Sequence, residues 1–329
     1  MGRSGALPSL AYYRRIFSNY VLRRHSHLGF WHETPELNAK ATYQSLGPFY
    51  MTFHDKASYP GPFDSGGVPM LNYGGKVGLH YNPIAVAQYG LAHYNLLTET
   101  NDSRHRDVFL CQADWLVDNL ELNDQGVSVW RHHFDWEYRG GLHAPWPSGL
   151  AQGASLSCLA RAATVSKDIR YRASLEKGFE AFLIPVEKGG ICVYGPGREV
   201  WIEEYIVDPP SHIINGFLWG LWGVWDYFLL TGDERARALF QQCVDTVKQN
   251  LHRYDTGWWS LYEVSPYRLK DVASSFYHKL HIVQMHVMHN LTGDAVFRDF
   301  AQKWEGYQRS RLKRLRSRAY KAAFKLLHY

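Results

Sequence analysis

A pattern that recurs along the chain with a period of about 64 residues constrains the fold more than any local propensity does. A proline followed five residues later by a side-chain amide opens an apolar run three times, as Pro83 with Gln88, Pro147 with Gln152 and Pro210 with Asn215. Gln284 continues the series without its proline. A short β-like run follows a glycine at Gly126 (VSVW), Gly190 (ICVY) and Gly257 (WWSLY). Acidic residues recur at helix starts, at Asp102, Asp168, Asp233 and Asp294, the last two in matching TGD triplets, and these read as N-caps.

Each unit therefore predicts an inner helix, a short turn, an outer helix and a hairpin that leads to the next inner helix. Such units cannot bury their faces alone, so they stack, and a curved stack closes toward a ring. The fold expected is mainly α: an incomplete (α/α) toroid or barrel of about four helix pairs with short β-hairpins, spanning residues 80–308. An irregular Gly/Pro-rich segment at 31–79 precedes it, because glycine and proline at that density make turns and hairpins. A basic amphipathic helix is expected at 1–30 and a basic C-terminal helix at 309–329. In this layout the inner helices start on one face, where free N–H groups and the positive ends of the helix dipoles favour an anion.

Twelve Trp and 22 Tyr exceed what a core needs, and aromatic rings with a polar handle suit contact with sugar rings as well as helix packing. The formal charge of +5 sits largely at the two ends, which leaves the body near neutral and argues against a nucleic-acid partner. The basic ends invite peripheral association with a membrane. The four cysteines, Cys111, Cys158, Cys192 and Cys243, lie too far apart for a CxxC pair or compact metal site. No signal-peptide pattern and no membrane-length apolar run is present, so the expected location is cytoplasmic, at the inner membrane surface if the ends act as anchors.

The densest set of chemically useful residues runs from Arg198 to Gln284. Tyr205, Tyr262 and Tyr277, the adjacent carboxylates Glu203 and Glu204, and His278 and His281 fall there at helix starts and turns. Gln88, Gln152 and Asn215 can bond sugar hydroxyls or one another. Lys76 and His80, in a glycine-rich stretch, are candidates for holding an anionic polymer. Trp130, Trp201 and Trp258 can stack on sugars or pack beneath hairpins. His278, His281, His286 and His289 lack an HExxH arrangement, so neither metal nor cofactor is assigned.

The words EEY with PP and NGF after it, YDTG with SLY, and YHKLHIVQ carry a resemblance to the D-glucuronyl C5-epimerase family. YNPIAVAQYGLAHYN, ADWLVDN and PSGLAQGASLSCLARA extend it in order over most of residues 70–308. The resemblance implies conversion of glucuronate to iduronate in a heparosan-type polysaccharide, an anionic uronic-acid polymer as partner, and Glu204, Tyr205, Tyr262 and Tyr277 as active-site residues; it also admits a homodimer. Two departures stand out. The sizeable β-domain that the animal enzymes carry after the first inner helix is missing between Asn95 and Arg104, and EVSPYR replaces DLRHF after Tyr262, leaving Arg268 as the candidate for the arginine's place.

C5 epimerisation removes a proton α to a carboxylate and returns one from the opposite face, so the carboxylate must be neutralised and an acid/base placed on each side of the ring. On this reading Tyr277 and Glu204 act from opposite faces, while Tyr205 and Tyr262 hold the uronate carboxylate. Two rivals share the frame: a uronan lyase, which expels the C4 substituent after the same proton removal, and a non-catalytic glycan-binding protein.

Overall fold

The computed structural model describes residues 28–31, 34–139, 141–266 and 269–328. The basic helix expected within 1–30 lies almost entirely outside the described residues.

Four helix pairs follow one another as the repeat predicts. The inner helices are α1 (Pro83–Thr100), α3 (Gly149–Val165), α5 (Ile214–Thr231) and α7 (Ser275–Thr292). Each is followed after a tight turn by its outer partner: α2 (Ser103–Asp118), α4 (Ile169–Glu180), α6 (Glu234–Asn250) and α8 (Ala295–Arg309). A final helix, α9 (Arg311–His328), packs on α7 and α8. Two-stranded antiparallel hairpins link the first three units: β3 (Glu121–Leu122) with β4 (Ser128–Val129), β5 (Arg131–His132) with β6 (Trp146–Pro147), and β7 (Cys192–Tyr194) with β8 (Val200–Ile202). The β-like run after Gly257 departs from the expectation: among the described residues between α6 and α7 it makes only isolated bridges, Asp255 with Ser260 and Leu261 with Val272, and no hairpin. In the irregular N-terminal segment β1 (Met70–Asn72) pairs with β2 (Leu79–Tyr81), Met70 opposite Tyr81.

The first three inner helices bury nearly every residue of their first three turns, whereas α7 leaves Ser275, Phe276, Tyr277 and Lys279 at least partly exposed; the outer helices bury one stripe and expose the rest. Inner helices touch in the order α1, α3, α5, α7, and the described residues form an arc of the ring type expected.

Glycine sets the closest of these contacts. A Cβ at Gly153 of α3 would lie 2.3 Å from Gly220 Cα of α5, and one at Gly223 would lie 2.2 Å from Gly153 O, so the two backbones touch without side chains between them. Along the same groove, a Cβ at Gly149 would meet Ile202 and the Glu203 carbonyl, and one at Gly216 would meet the Glu204 carboxylate at 2.3 Å.

The caps follow local chemistry. Asn82, Ser148 and Ser274 cap inner helices through their side chains, whereas Ile213 leaves α5 uncapped. Asp102, Asp168 and Asp233 each accept the N–H of an arginine two residues on at 2.9 Å, and that arginine's guanidinium folds back on the same carboxylate. Asp294 departs from the expectation. It occupies the N-cap position of α8 without a side-chain cap, and its carboxylate pairs with Lys248 at 2.9 Å.

A buried cluster fastens the N-terminal segment to the helices. Arg161 of α3 and Asp226 of α5, both with no exposed side-chain surface, pair at 2.7 Å, and the Tyr50 hydroxyl donates to the same carboxylate at 2.7 Å. Arg161 also donates to Gly47 O at 3.0 Å, and Asn95 of α1 binds Phe49 N and Met51 O.

Two stability outcomes follow. Gly153→Val forces α3 from α5 and should cost roughly 1–3 kcal/mol. Asp226→Ala leaves Arg161 buried without its counter-charge and should cost roughly 3–5 kcal/mol. Both are read as lowered melting midpoints by circular dichroism.

Candidate active site

At the N-terminal ends of the inner helices lies an open cleft with a volume of about 150 Å³. All four inner helices reach it: Ile84 and Gln88 from α1, Leu150 from α3, Asn215 and Trp219 from α5, and Phe276, Tyr277 and Leu280 from α7. Glu204 and Tyr205, on the turn after β8, stand in its wall.

Glu204 sits on Gly216, whose missing side chain leaves the space its carboxylate fills. Asn215 Nδ2 donates to Glu204 Oε2 at 3.0 Å, and the hydroxyls of Tyr205 and Tyr262 also hydrogen-bond this carboxyl. Burial dominates these bonds and, with the charge of Glu203 behind it, pushes the Glu204 pKa up to about 8. Tyr262 packs edge-on against Tyr277 with ring centroids 4.8 Å apart. Its backbone is pinned by a 2.8 Å bond from its N–H to Asp271 O. Burial first, then the neighbouring acid and phenols, raises the Tyr205 and Tyr262 hydroxyls well above the ordinary tyrosine range, so both are neutral donors at pH 7.

The structure separates the two adjacent glutamates. Glu203 is turned away from the cleft, its carboxylate held by the backbone N–H of His212 at 3.1 Å, by the His212 ring and by Ser211. His212 takes a left-handed backbone (φ 48°) to make this clamp, a strained conformation for a side chain of its size. Glu204 is left as the acid facing the cleft.

Other sequence candidates divide sharply. Gln88 and Asn215 line the cleft, each with a buried amide oxygen that has no hydrogen-bond partner. Gln152 does not line it: its Nε2 donates to Gly178 O at 2.8 Å and Ser128 O at 3.2 Å, and its Oε1 accepts from Trp130 N, so it ties α4 and a hairpin to α3. Trp201 is buried, stacked 4.2 Å from His212, and does not line the cleft. His278 and His281 are buried behind the site, both bonded to Ser260 Oγ, and His278 stacks on Trp259 at 3.7 Å. Burial lowers the pKa of both imidazoles, to about 4 at His278, and neither lines the cleft. Lys76 is exposed on the β1–β2 turn away from the cleft wall. His80 reaches the site only through Phe134, whose ring lies 5.3 Å from it. Arg268 lies outside the described residues. Trp130 and Trp258 serve packing: the first donates to Leu116 O at 2.7 Å and the second lies under Arg316.

Several cleft residues carry no periodic signal. Lys56 is buried in the wall, its Nζ donating to Phe30 O at 2.6 Å. His132 stacks on Trp146 at 3.8 Å and Tyr138 packs on Tyr205 at 4.5 Å, with the Tyr138 hydroxyl donating to Glu263 and Arg139 pairing with that same carboxylate. From α9, Lys321 pairs with Asp271 and lies 5.4 Å from the Tyr262 ring centre. These residues come from the irregular segment, the long β5–β6 connection and the C-terminal helix, where only clusters such as HHFDWEYRGG mark them in the text.

The family model described as D-glucuronyl C5-epimerase C-terminus matches residues 123–306, more than half of the chain. An uncharacterized protein of Methanocaldococcus jannaschii is 29% identical over 203 residues, which is 60% of this chain and 64% of that protein. D-glucuronyl C5-epimerase of Caenorhabditis elegans is 33% identical over 220 residues, which is 62% of this chain but 35% of that protein. The chain thus spans under two thirds of either relative. Cellobiose 2-epimerase from Bacillus thermoamylovorans has a similar fold, with a TM-score of 0.50 at 12% identity over 68% of this chain and 59% of that one. On the match over residues 123–306, the chain belongs to the D-glucuronyl C5-epimerase family.

Proposed function

We propose that this cleft epimerises C5 of a uronate residue, D-glucuronate to L-iduronate, within a heparosan-like polysaccharide. The observation that carries the reading is the buried Glu204 carboxyl, hydrogen-bonded by Tyr205 and Tyr262 and sharing its cleft with Tyr277. Family membership supports an epimerase, and the opening toward solvent suits a residue inside a chain.

In this mechanism the ionised Glu204 takes the C5 proton. The C5–H electron pair moves into the substrate carboxylate, giving an enediolate. Glu204, now protonated, no longer draws the hydroxyls of Tyr205 and Tyr262, and these turn their single protons to the enediolate oxygens. Donors fixed where charge develops lower such a barrier more than any other device open to the site. Tyr277 then gives its proton to C5 from the other face, and the proton held by Glu204 resets the Tyr277 phenolate through the shared phenol cluster. The amide oxygens of Gln88 and Asn215, buried in the wall without a partner, accept from sugar hydroxyls.

A carboxyl with a pKa of about 8 is a stronger base than an ordinary glutamate, and it is available near the working pH. Because the base is the ionised form, the rate of C5 exchange should rise with pH and level off above about 8, an inflection that a Glu204→Gln variant should not show.

The direct test incubates the protein with heparosan in heavy water and follows C5 deuterium and iduronate by NMR. Tyr277→Phe and Glu204→Gln should each lower exchange by about 10²–10⁴-fold with an unchanged circular dichroism spectrum. Appearance of a conjugated double bond in place of iduronate would turn the reading to a lyase. Retention on immobilised heparosan without any exchange would leave a binding protein.

A further inference from the structure

We propose that α9 docks the protein on an anionic lipid surface through its outward face. The inward face of this helix is already used: Ser317 and Phe324 are buried, and Tyr320 packs 6.0 Å from Trp258. The opposite face has no such cover among the described residues. Leu312 is 79% exposed and Leu315 62%, and Ala319 and Ala322 are exposed with them. At about 100° per residue these four residues form one stripe along the helix. Exposed Arg311 and Arg318 border it on one edge and Arg316 on the other. No acidic residue occurs anywhere in Arg311–His328.

An apolar stripe flanked by arginines is the pattern of a helix lying in a membrane interface, with leucines among the acyl chains and guanidiniums at the headgroup phosphates. Charge selects this occupant over the others. A second copy meeting this face about a two-fold axis would oppose arginine to arginine. The basic N-terminal segment, with Arg14, Arg15, Arg23 and Arg24, has the same sign. A uronan matches the arginines but offers nothing apolar to the leucines.

The test is co-sedimentation of the full chain with vesicles of phosphatidylcholine alone or mixed with phosphatidylglycerol, at low and raised salt. Binding is expected to the mixed vesicles only, weakening as salt rises, and about tenfold weaker in the Leu312→Ser/Leu315→Ser double variant, whose melting midpoint should match wild type because both side chains are exposed. Absence of binding to the mixed vesicles, or binding unchanged in the double variant, would overturn the proposal. So would a double variant that keeps its lipid binding but loses self-association in sedimentation velocity or retention on heparosan, since the face would then belong to a second copy or to the polymer.

Discussion

The backbone contact between α3 and α5 is the constraint on which the site rests. Helix axes come this close only where no Cβ stands between them, and Gly153, Gly220 and Gly223 supply that absence. The groove they leave continues past Gly149 and Gly216, and the chain from Ile202 to Glu204 lies in it. Gly149 N donates to Glu203 O at 2.8 Å, which fixes the strand exit. Glu204 therefore occupies a socket cut into two helices, and its position is set by backbone, which moves less than side chains do.

That socket also determines the electrostatics. Water is kept from Glu204 by the same packing that holds it, so its proton is retained to about pH 8, and the hydrogen bonds from Asn215, Tyr205 and Tyr262 offset only part of the burial. The phenols around it are raised for the same reason and stay neutral. A site of neutral donors around one titratable acid matches the demand of proton removal beside a carboxylate, where charge must be received without being present beforehand.

The parts of the chain outside the repeat complete the cleft. The N-terminal segment, held by Arg161, Asp226 and Tyr50, brings Lys56 to one wall. The β5–β6 hairpin brings His132, Phe134 and Trp146 to another. Helix α9 supports Tyr262 from behind through Lys321 and Asp271 while turning Leu312 and Leu315 outward. The basic C-terminus, which as text is a run of charge, thus has one face inside the active-site frame and another free for a surface.

The amino-acid sequence by itself determined the helix pairs, their order and the aspartate caps of three outer helices, because periodicity and acidic helix starts act over a few residues and leave a local trace. It also marked Glu204, Tyr205, Tyr262 and Tyr277, since they sit at helix starts and turns in the words that carry the family resemblance, and a ring of stacked units must bring such ends to one mouth. Only the tertiary structure decided which member of each look-alike set faces that mouth. Glu203 and Glu204 are neighbours in the text, yet His212 holds one and Gly216 seats the other. Gln88 and Gln152 occupy the same place in the repeat, yet one amide ends in the cleft and the other on the carbonyls of Gly178 and Ser128. The direction of a side chain at a given register depends on what packs against it from residues far away in sequence, and no local pattern records that.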